Sequence, residues 1–80
     1  MYKFRIYFEL RDKEHSKNKE FASGYIKEFT DEMVVFTTMK NHAKMYNSEE
    51  QAREDIQKLH KIKDYAEYRF ILLRNKSYML

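Results

Sequence analysis

The residues able to do covalent chemistry are few, and none stands in a spacing typical of a catalytic centre. The chain has no cysteine, which excludes a thiol nucleophile, a disulfide scaffold and a cysteine-based zinc module. Gly24 is the single glycine, so neither the Gly-x-Ser-x-Gly turn of serine hydrolases nor a glycine-rich phosphate loop is present. The acid pairs Asp31-Glu32 and Glu49-Glu50 stand where turns and helix starts ordinarily carry acids. The sequence therefore predicts a protein that is not an enzyme.

The candidate metal ligands are the three histidines, His15, His42 and His60. A transition-metal site needs three or four converging ligands of defined geometry. Only His60 and Asp64, four residues apart, share an evident local face. Two ligands leave such a site incomplete, so we predict neither a metal nor another cofactor.

A pattern that suits recognition lies at the amino terminus, where residues 2–10 alternate strictly between two kinds of side chain. This is the period of a half-buried strand. The set expected to point into the core is Tyr2, Phe4, Ile6, Phe8 and Leu10. The set expected on the exposed face is Lys3, Arg5, Tyr7 and Glu9. Cations interleaved with an aromatic ring can anchor a protein partner, or can neutralise phosphates and stack on bases.

Two classes of partner follow from that exposed face. The first is a host protein, because seven tyrosines and six phenylalanines exceed what one small core readily hides, and exposed tyrosine often anchors an interface. Its predicted contacts are Lys3, Arg5, Tyr7, the loop that begins at Arg11, and the apolar end Tyr78, Met79 and Leu80. The alternative is nucleic acid, bound by Lys3, Arg5, Tyr7, Arg11, Lys27 and Arg69. The net charge of +3 is mild, and Glu9, Glu28 and Glu67 are expected to lower the potential of the same surface.

Two further strands are expected before the helix. Residues 11–20 contain no apolar side chain and predict a mobile hairpin loop. Residues 21–29 form a second strand in which neither parity is cleanly apolar, so we expect a bulge near Gly24 that changes the register. Residues 33–39 supply a β-branched third strand, with a short extended piece at 44–46 as its possible continuation.

Ser48 opens the one convincing helix, since Ser48-Glu49-Glu50-Gln51 is a capping-box pattern. The apolar stripe of this helix consists of Ala52, Ile56, Leu59 and Ile62, and the helix is expected to end near Lys63. A final strand over 65–73 and a tail over 74–80 follow. The predicted fold is α+β, an antiparallel sheet of about four strands with one helix on one face, in the order β-β-β-α-β.

Length and composition predict a single small soluble domain over residues 1–80. No apolar run approaches the ~20 residues needed to span a bilayer, and Lys3 and Arg5 interrupt any signal-peptide core. We therefore expect a cytoplasmic protein without membrane contact. Both a monomer and a homodimer fit the sequence, and a first or last strand at a sheet edge is the element that would pair across a dimer.

The link Tyr46-Asn47-Ser48-Glu49-Glu50-Gln51-Ala52 resembles the arm-type DNA-binding domain of tyrosine integrases, in which three strands precede a helix. That resemblance implies a nucleic-acid site with Lys3, Arg5 and Tyr7 in the major groove, although the fifth element departs from the family pattern. Over its whole length the chain also looks like small orphan proteins of phages and mobile elements in low-GC bacteria. This second resemblance implies binding and inhibition of a host factor, including an anti-CRISPR-like or other anti-defence role.

Overall fold

The computed structural model describes residues 2–11 and 22–76, which form a four-stranded antiparallel sheet with one α-helix packed on it. The elements are β1 (Tyr2–Leu10), β2 (Ser23–Phe29), β3 (Val34–Thr37), α1 (Glu49–His60) and β4 (Tyr68–Lys76), with 3-10 turns at Lys40–His42 and Lys63–Tyr65. The spatial order of the strands is β3-β2-β1-β4. The predicted α+β fold with β-β-β-α-β order is confirmed.

Strand β1 alternates as its sequence predicts. Phe4, Ile6, Phe8 and Leu10 are 8% exposed or less and form the centre of the core, while the residues between them are half-buried on the opposite face. Tyr2 is the exception, because it is 45% exposed and was predicted to be buried. It lies at the start of the strand, where its ring packs against the guanidinium of Arg74, with 4.6 Å between the ring centroid and Cζ.

Helix α1 begins and packs as predicted. The Ser48 hydroxyl accepts a hydrogen bond from the Gln51 backbone N–H at 3.1 Å, which satisfies one donor of the first turn. Ala52 and Leu59 are fully buried, and Ile56 and Ile62 pack against the same core. The helix ends at His60, three residues before the predicted end, because the Ile62 N–H bonds back three residues to the Leu59 carbonyl and thereby tightens the last turn.

The irregularity in β2 lies at Lys27 rather than near Gly24, where it was predicted. Ile26 pairs with Phe36 and Glu28 pairs with Val35, which leaves Lys27 as the extra residue. This one-residue insertion reverses the parity of the strand. As a result Ile26 and Phe29, which have opposite parity in the sequence, both pack against the core.

Gly24 has a different role, since it permits a close approach between strands. A Cβ atom at this position would lie 2.7 Å from the Thr37 carbonyl oxygen and 3.0 Å from the Phe8 ring. A real Cβ would clash with both, and the backbone oxygen cannot move without shifting β3. Gly24 is therefore required by packing.

The extended piece at 44–46 joins β1 and β2 instead of continuing β3. Phe4 and Tyr46 exchange two backbone hydrogen bonds of 3.0 and 2.8 Å, and the Lys44 N–H donates to the Ile26 carbonyl at 2.8 Å. The 3-10 turn at Lys40–His42 separates this piece from β3. The piece thus satisfies backbone groups of both strands beyond the point where β1 and β2 stop pairing.

Strand β4 starts and ends three residues later than predicted. Residues 63–65 form a 3-10 turn, and β4 pairs with β1 without interruption from Tyr68 opposite Leu10 to Lys76 opposite Tyr2. It therefore includes the first residues of the predicted tail. Of the predicted loop, Arg11 is described and exposed. The rest of the loop and the predicted contacts Tyr78, Met79 and Leu80 lie outside the described residues.

Candidate functional site

The face of the sheet opposite α1, here called the outer face, carries most of the described residues predicted to bind a partner. It is built by the alternation of β1 and by the registers with β2 and β4. Its residues are Val35 and Thr37 on β3, Ser23, Tyr25 and Glu28 on β2, Lys3, Arg5, Tyr7 and Glu9 on β1, and Arg69, Ile71 and Leu73 on β4. The α-helix and the buried core lie on the other side, here called the inner face.

The middle of the outer face is apolar and aromatic. Tyr7 lies opposite Tyr25 on β2 and opposite Ile71 on β4. The two tyrosine rings meet edge to face, with centroids 5.5 Å apart and 64° between their planes. Leu73 follows on β4, opposite Arg5. All of these side chains are half-buried, so a band of apolar surface crosses three neighbouring strands.

Charged residues flank this apolar band at both ends, and several of them are already engaged. At one end the Arg69 guanidinium lies 3.6 Å from the Glu9 carboxylate directly across the strand pair. At the other end the Lys3 ammonium donates a hydrogen bond to the Asn47 side-chain oxygen. Because Glu9 offsets the charge of Arg69, the outer face does not concentrate positive potential at that end.

The remaining predicted nucleic-acid contacts do not gather into one patch. Arg11 lies beyond the end of β1, where its N–H bonds to the Glu67 carbonyl at 2.9 Å. Lys27 lies in the β2 bulge, next to Glu28. Ser23 pairs with Glu9, the residue that faces Arg69 on β4. Lys27 is four residues beyond Ser23, and these two residues are therefore ~13 Å apart along the strand. The structure therefore distributes the cations over opposite ends of the face.

A second feature is a cleft beside the start of α1, which the sequence analysis missed. It encloses about 290 Å³ and is lined by Lys44, Met45, Tyr46, Asn47, Gln51, Glu54 and Asp55. The Tyr46 hydroxyl donates to the Asp55 carboxylate at 2.5 Å. The Lys44 ammonium lies 3.8 Å from the same oxygen and 4.8 Å from the centroid of the Tyr46 ring.

The hydrogen bond between Tyr46 and Asp55 has a structural role in this cleft. Burial, the hydrogen bond to Asp55 and the charge of its carboxylate together raise the pKa of the Tyr46 hydroxyl far above its usual range. A phenol held neutral in this way is a hydrogen-bond donor and is not activated as a base or nucleophile. The pair joins the helix to the 44–46 segment.

Within the described parts of the chain, no cluster of three or more histidine or acidic side chains could hold a metal ion. His60 instead places its ring 5.6 Å from that of Phe70, and His15 lies outside the described residues. No helix among residues 2–11 and 22–76 is long and apolar enough to cross a membrane.

Sequence reasoning did not select some residues of the outer face and of the cleft. Ile71 and Leu73 belong to a run, Phe70–Leu73, that is apolar on both parities, so periodicity alone does not say which residues face outward. Tyr25 was obscured by the bulge. Asp55, which lines the cleft, could have been selected from the sequence. It is three residues after Ala52 and four before Leu59, so it lies beside the apolar stripe of α1.

No protein-family model matches the sequence, and no curated protein or solved structure matches the chain significantly. The resemblances to integrase arm domains and to phage accessory proteins therefore stay predictions.

Proposed function

We propose that this chain is a non-enzymatic binding module whose outer face docks on a protein partner and modulates it. The observation that supports the proposal is the apolar band centred on Tyr7, Tyr25 and Ile71, which lies on the sheet face opposite the helix and has charged residues at both ends. An apolar centre with a polar rim is the usual anatomy of a protein interface. Tyrosine is among the residues that most often dominate binding energy there.

The charge distribution favours a protein over nucleic acid. Non-specific binding of nucleic acid draws its affinity mainly from phosphate neutralisation, which calls for cations gathered along a path. Here Arg69 is paired with Glu9, and Lys27 and Arg69 lie towards opposite ends of the face. Aliphatic Ile71 and Leu73 occupy positions where stacking rings would be expected for single-stranded nucleic acid. The complementary protein surface is expected to be apolar at its centre and acidic opposite Lys3 and Arg5.

The narrower part of the proposal is that the partner is a host factor, and that the chain acts in the host cytoplasm as a phage or mobile-element protein. It rests on the sequence resemblance given above. An anti-CRISPR-like or other anti-defence role belongs to the same hypothesis. Identifying the protein that cross-links to the outer face tests this narrower hypothesis directly.

Site-specific cross-linking tests the docking face. A photoreactive amino acid is placed at Tyr7 on the outer face and, as a matched control, at Gln57, which is exposed on α1. We expect a discrete cross-linked species from position 7 and none from position 57. The partner identified from that species, once purified, is expected to bind the Tyr7→Ala/Tyr25→Ala variant at least about tenfold more weakly, as for the loss of two interface anchors. Equal cross-linking from both positions, or unchanged affinity of the double variant, would contradict the proposal.

A salt titration with single- and double-stranded oligonucleotides decides the alternative. If nucleic acid is the ligand, affinity at low salt should be measurable and should fall steeply as salt rises, because counterion release drives such binding. We expect no binding even at low salt. Salt-sensitive binding that Lys3→Ala/Arg5→Ala weakens would overturn the assignment to a protein partner.

A further inference from the structure

The cleft beside the start of α1 contains polar side chains that the fold does not use. Its helical wall carries Gln51, Glu54 and Asp55, which are three or four residues apart and so share one side of α1. Its other wall is the segment 44–47. Within residues 2–11 and 22–76, the side chains of Gln51 and Glu54 form no hydrogen bond or ion pair. Both therefore offer unused polar groups to a ligand.

Each of these two side chains has a local partner within reach and does not bond to it. The Ser48 hydroxyl accepts a hydrogen bond from the Gln51 backbone N–H, but in the described structure the Gln51 side chain returns no bond, so the capping box is half formed. Lys58 follows Glu54 at the four-residue spacing of a favourable helix pair. No ion pair joins them among the described residues. The helical wall of the cleft is thus left available for an external group.

The charges that line the cleft favour a cationic ligand. One cation, Lys44, and two carboxylates, Glu54 and Asp55, line it. The Lys44 ammonium lies 3.8 Å from Oδ2 of Asp55, and the same oxygen accepts the hydrogen bond of the Tyr46 hydroxyl. These two contacts offset the charge of Asp55 and leave the Glu54 carboxylate uncompensated. A charge-assisted hydrogen bond to Glu54 is therefore the strongest interaction that the cleft can offer.

The size and the lining of the cleft match one long basic side chain. Its volume of about 290 Å³ lies just below the range of about 300–1,000 Å³ that is typical of small-molecule pockets. Met45 is 42% exposed, and its flexible thioether can pack along a methylene stem. A guanidinium group is planar and has five donors, so it can bind the Glu54 carboxylate through two of them and the Gln51 amide oxygen through a third. An arginine side chain therefore satisfies both unused acceptors.

The backbone of Met45 indicates that this side chain comes from a polypeptide. Tyr46 exchanges two backbone hydrogen bonds with Phe4, and the Lys44 N–H donates to the Ile26 carbonyl. Because successive residues of an extended segment direct their backbone groups to opposite sides, the N–H and C=O of Met45 point away from β1. They form no hydrogen bond within the described ranges. A short extended peptide can pair with them, as in strand addition to a sheet edge.

We propose that the cleft binds an arginine side chain of a protein partner, carried by a segment that runs extended beside Met45. The guanidinium pairs with the Glu54 carboxylate and donates to the Gln51 amide oxygen, and the methylene stem lies against Met45. The hydrogen bond between Tyr46 and Asp55 holds the two walls together, so the site is formed before the ligand arrives. This inference does not depend on the proposed function, because none of the residues lining the cleft belongs to the outer face.

An NMR titration of the intact chain with the blocked tripeptide Ala-Arg-Ala tests the site. The matched control peptide carries citrulline, which keeps the shape of arginine and replaces the guanidinium by a neutral urea group. We expect saturable shifts of the amide signals of residues 44–47 and 51–55, with a Kd on the order of 1 mM, as for one anchoring side chain. The citrulline peptide should bind at least about tenfold more weakly, because its hydrogen bonds are not charge-assisted. Equal binding of the two peptides, or no shifts in these residues, would refute the proposal.

Two variants of α1 locate the binding group. Glu54→Gln removes the carboxylate at nearly constant size, and Glu50→Gln makes the same charge change at an exposed position that does not line the cleft. Both side chains are exposed, so the fold is expected to tolerate either change. Affinity for the arginine peptide should fall at least about fivefold in Glu54→Gln and less than about twofold in Glu50→Gln. Equal losses would mean that the peptide responds only to the overall charge of the helix, which would overturn the assignment to Glu54.

Discussion

The two faces of the sheet are made by the same strands and differ in what covers them. On the inner face of β1, Ile6 and Phe8 are fully buried beneath α1, whereas Arg5 and Tyr7 on the outer face stay half-buried among their strand neighbours. The inner face therefore carries most of the hydrophobic stabilisation, which scales with the apolar area removed from water. The outer face retains apolar area that stays partly exposed to solvent. The residues of β1 that stabilise the core thus alternate with those that we propose bind a partner.

The largest difference between the two faces is expected from truncating adjacent rings of β1. Phe8→Ala should lower the free energy of unfolding by about 3–5 kcal/mol, because it leaves a cavity among Phe36, Tyr68 and Phe70. Tyr7→Ala removes an edge-to-face contact on a half-buried face and should cost about 1 kcal/mol. Urea unfolding followed by circular dichroism measures both values. Equal losses would show that the outer face is covered as well as the inner one.

A second experiment probes how tightly the inner face is closed at Gly24. Gly24→Ala should destabilise the fold by about 1–3 kcal/mol, since the added Cβ would lie 2.7 Å from the Thr37 carbonyl oxygen. The neighbouring change Ser23→Ala, on the outer face, is the control and should stay within about 0.5 kcal/mol. In a strand with free space for a Cβ atom at this position, alanine would be more favourable than glycine. A gain in stability for Gly24→Ala would therefore contradict the close approach of β2, β3 and Phe8.

The smallest effect concerns Tyr46, a buried residue whose hydroxyl lies at the rim of the core. Tyr46→Phe should cost about 1 kcal/mol at neutral pH, because the hydrogen bond to Asp55 is lost. The folded state raises the pKa of this hydroxyl, so its stabilisation is fully present below the unfolded value of about 10 and declines as pH rises above it.

Comparison of the natural chain with Tyr46→Phe at pH 8 and pH 11 isolates this contribution, since both proteins share every other titrating group. We expect the advantage of the natural chain to shrink at the higher pH. An advantage that stays constant between the two pH values would mean that the hydroxyl ionises equally well in the folded and unfolded states.

Sequence reasoning was most accurate where structure depends on near neighbours. The alternation of β1 and the Ser48 cap with its Ala52–Leu59 stripe were both confirmed. It was less accurate at Tyr2 and at the limits of β4, where the ends of elements depend on what lies beside them in space. The composition of the outer face was predicted in part, because the alternation of β1 places Lys3, Arg5 and Tyr7 on one face, whereas Tyr25, Ile71 and Leu73 join them only through strand pairing.

The sequence by itself determined which side chains of β1 point to each side of the sheet and where α1 begins, because both follow from periodicity and capping within a few residues. Only the tertiary structure decided that the extra residue of β2 is Lys27, that β4 rather than β1 lies at an edge, and that Tyr46 meets Asp55. Each of these depends on how distant segments align. A strand's own alternation restricts that alignment to one parity but does not select the partner or the register.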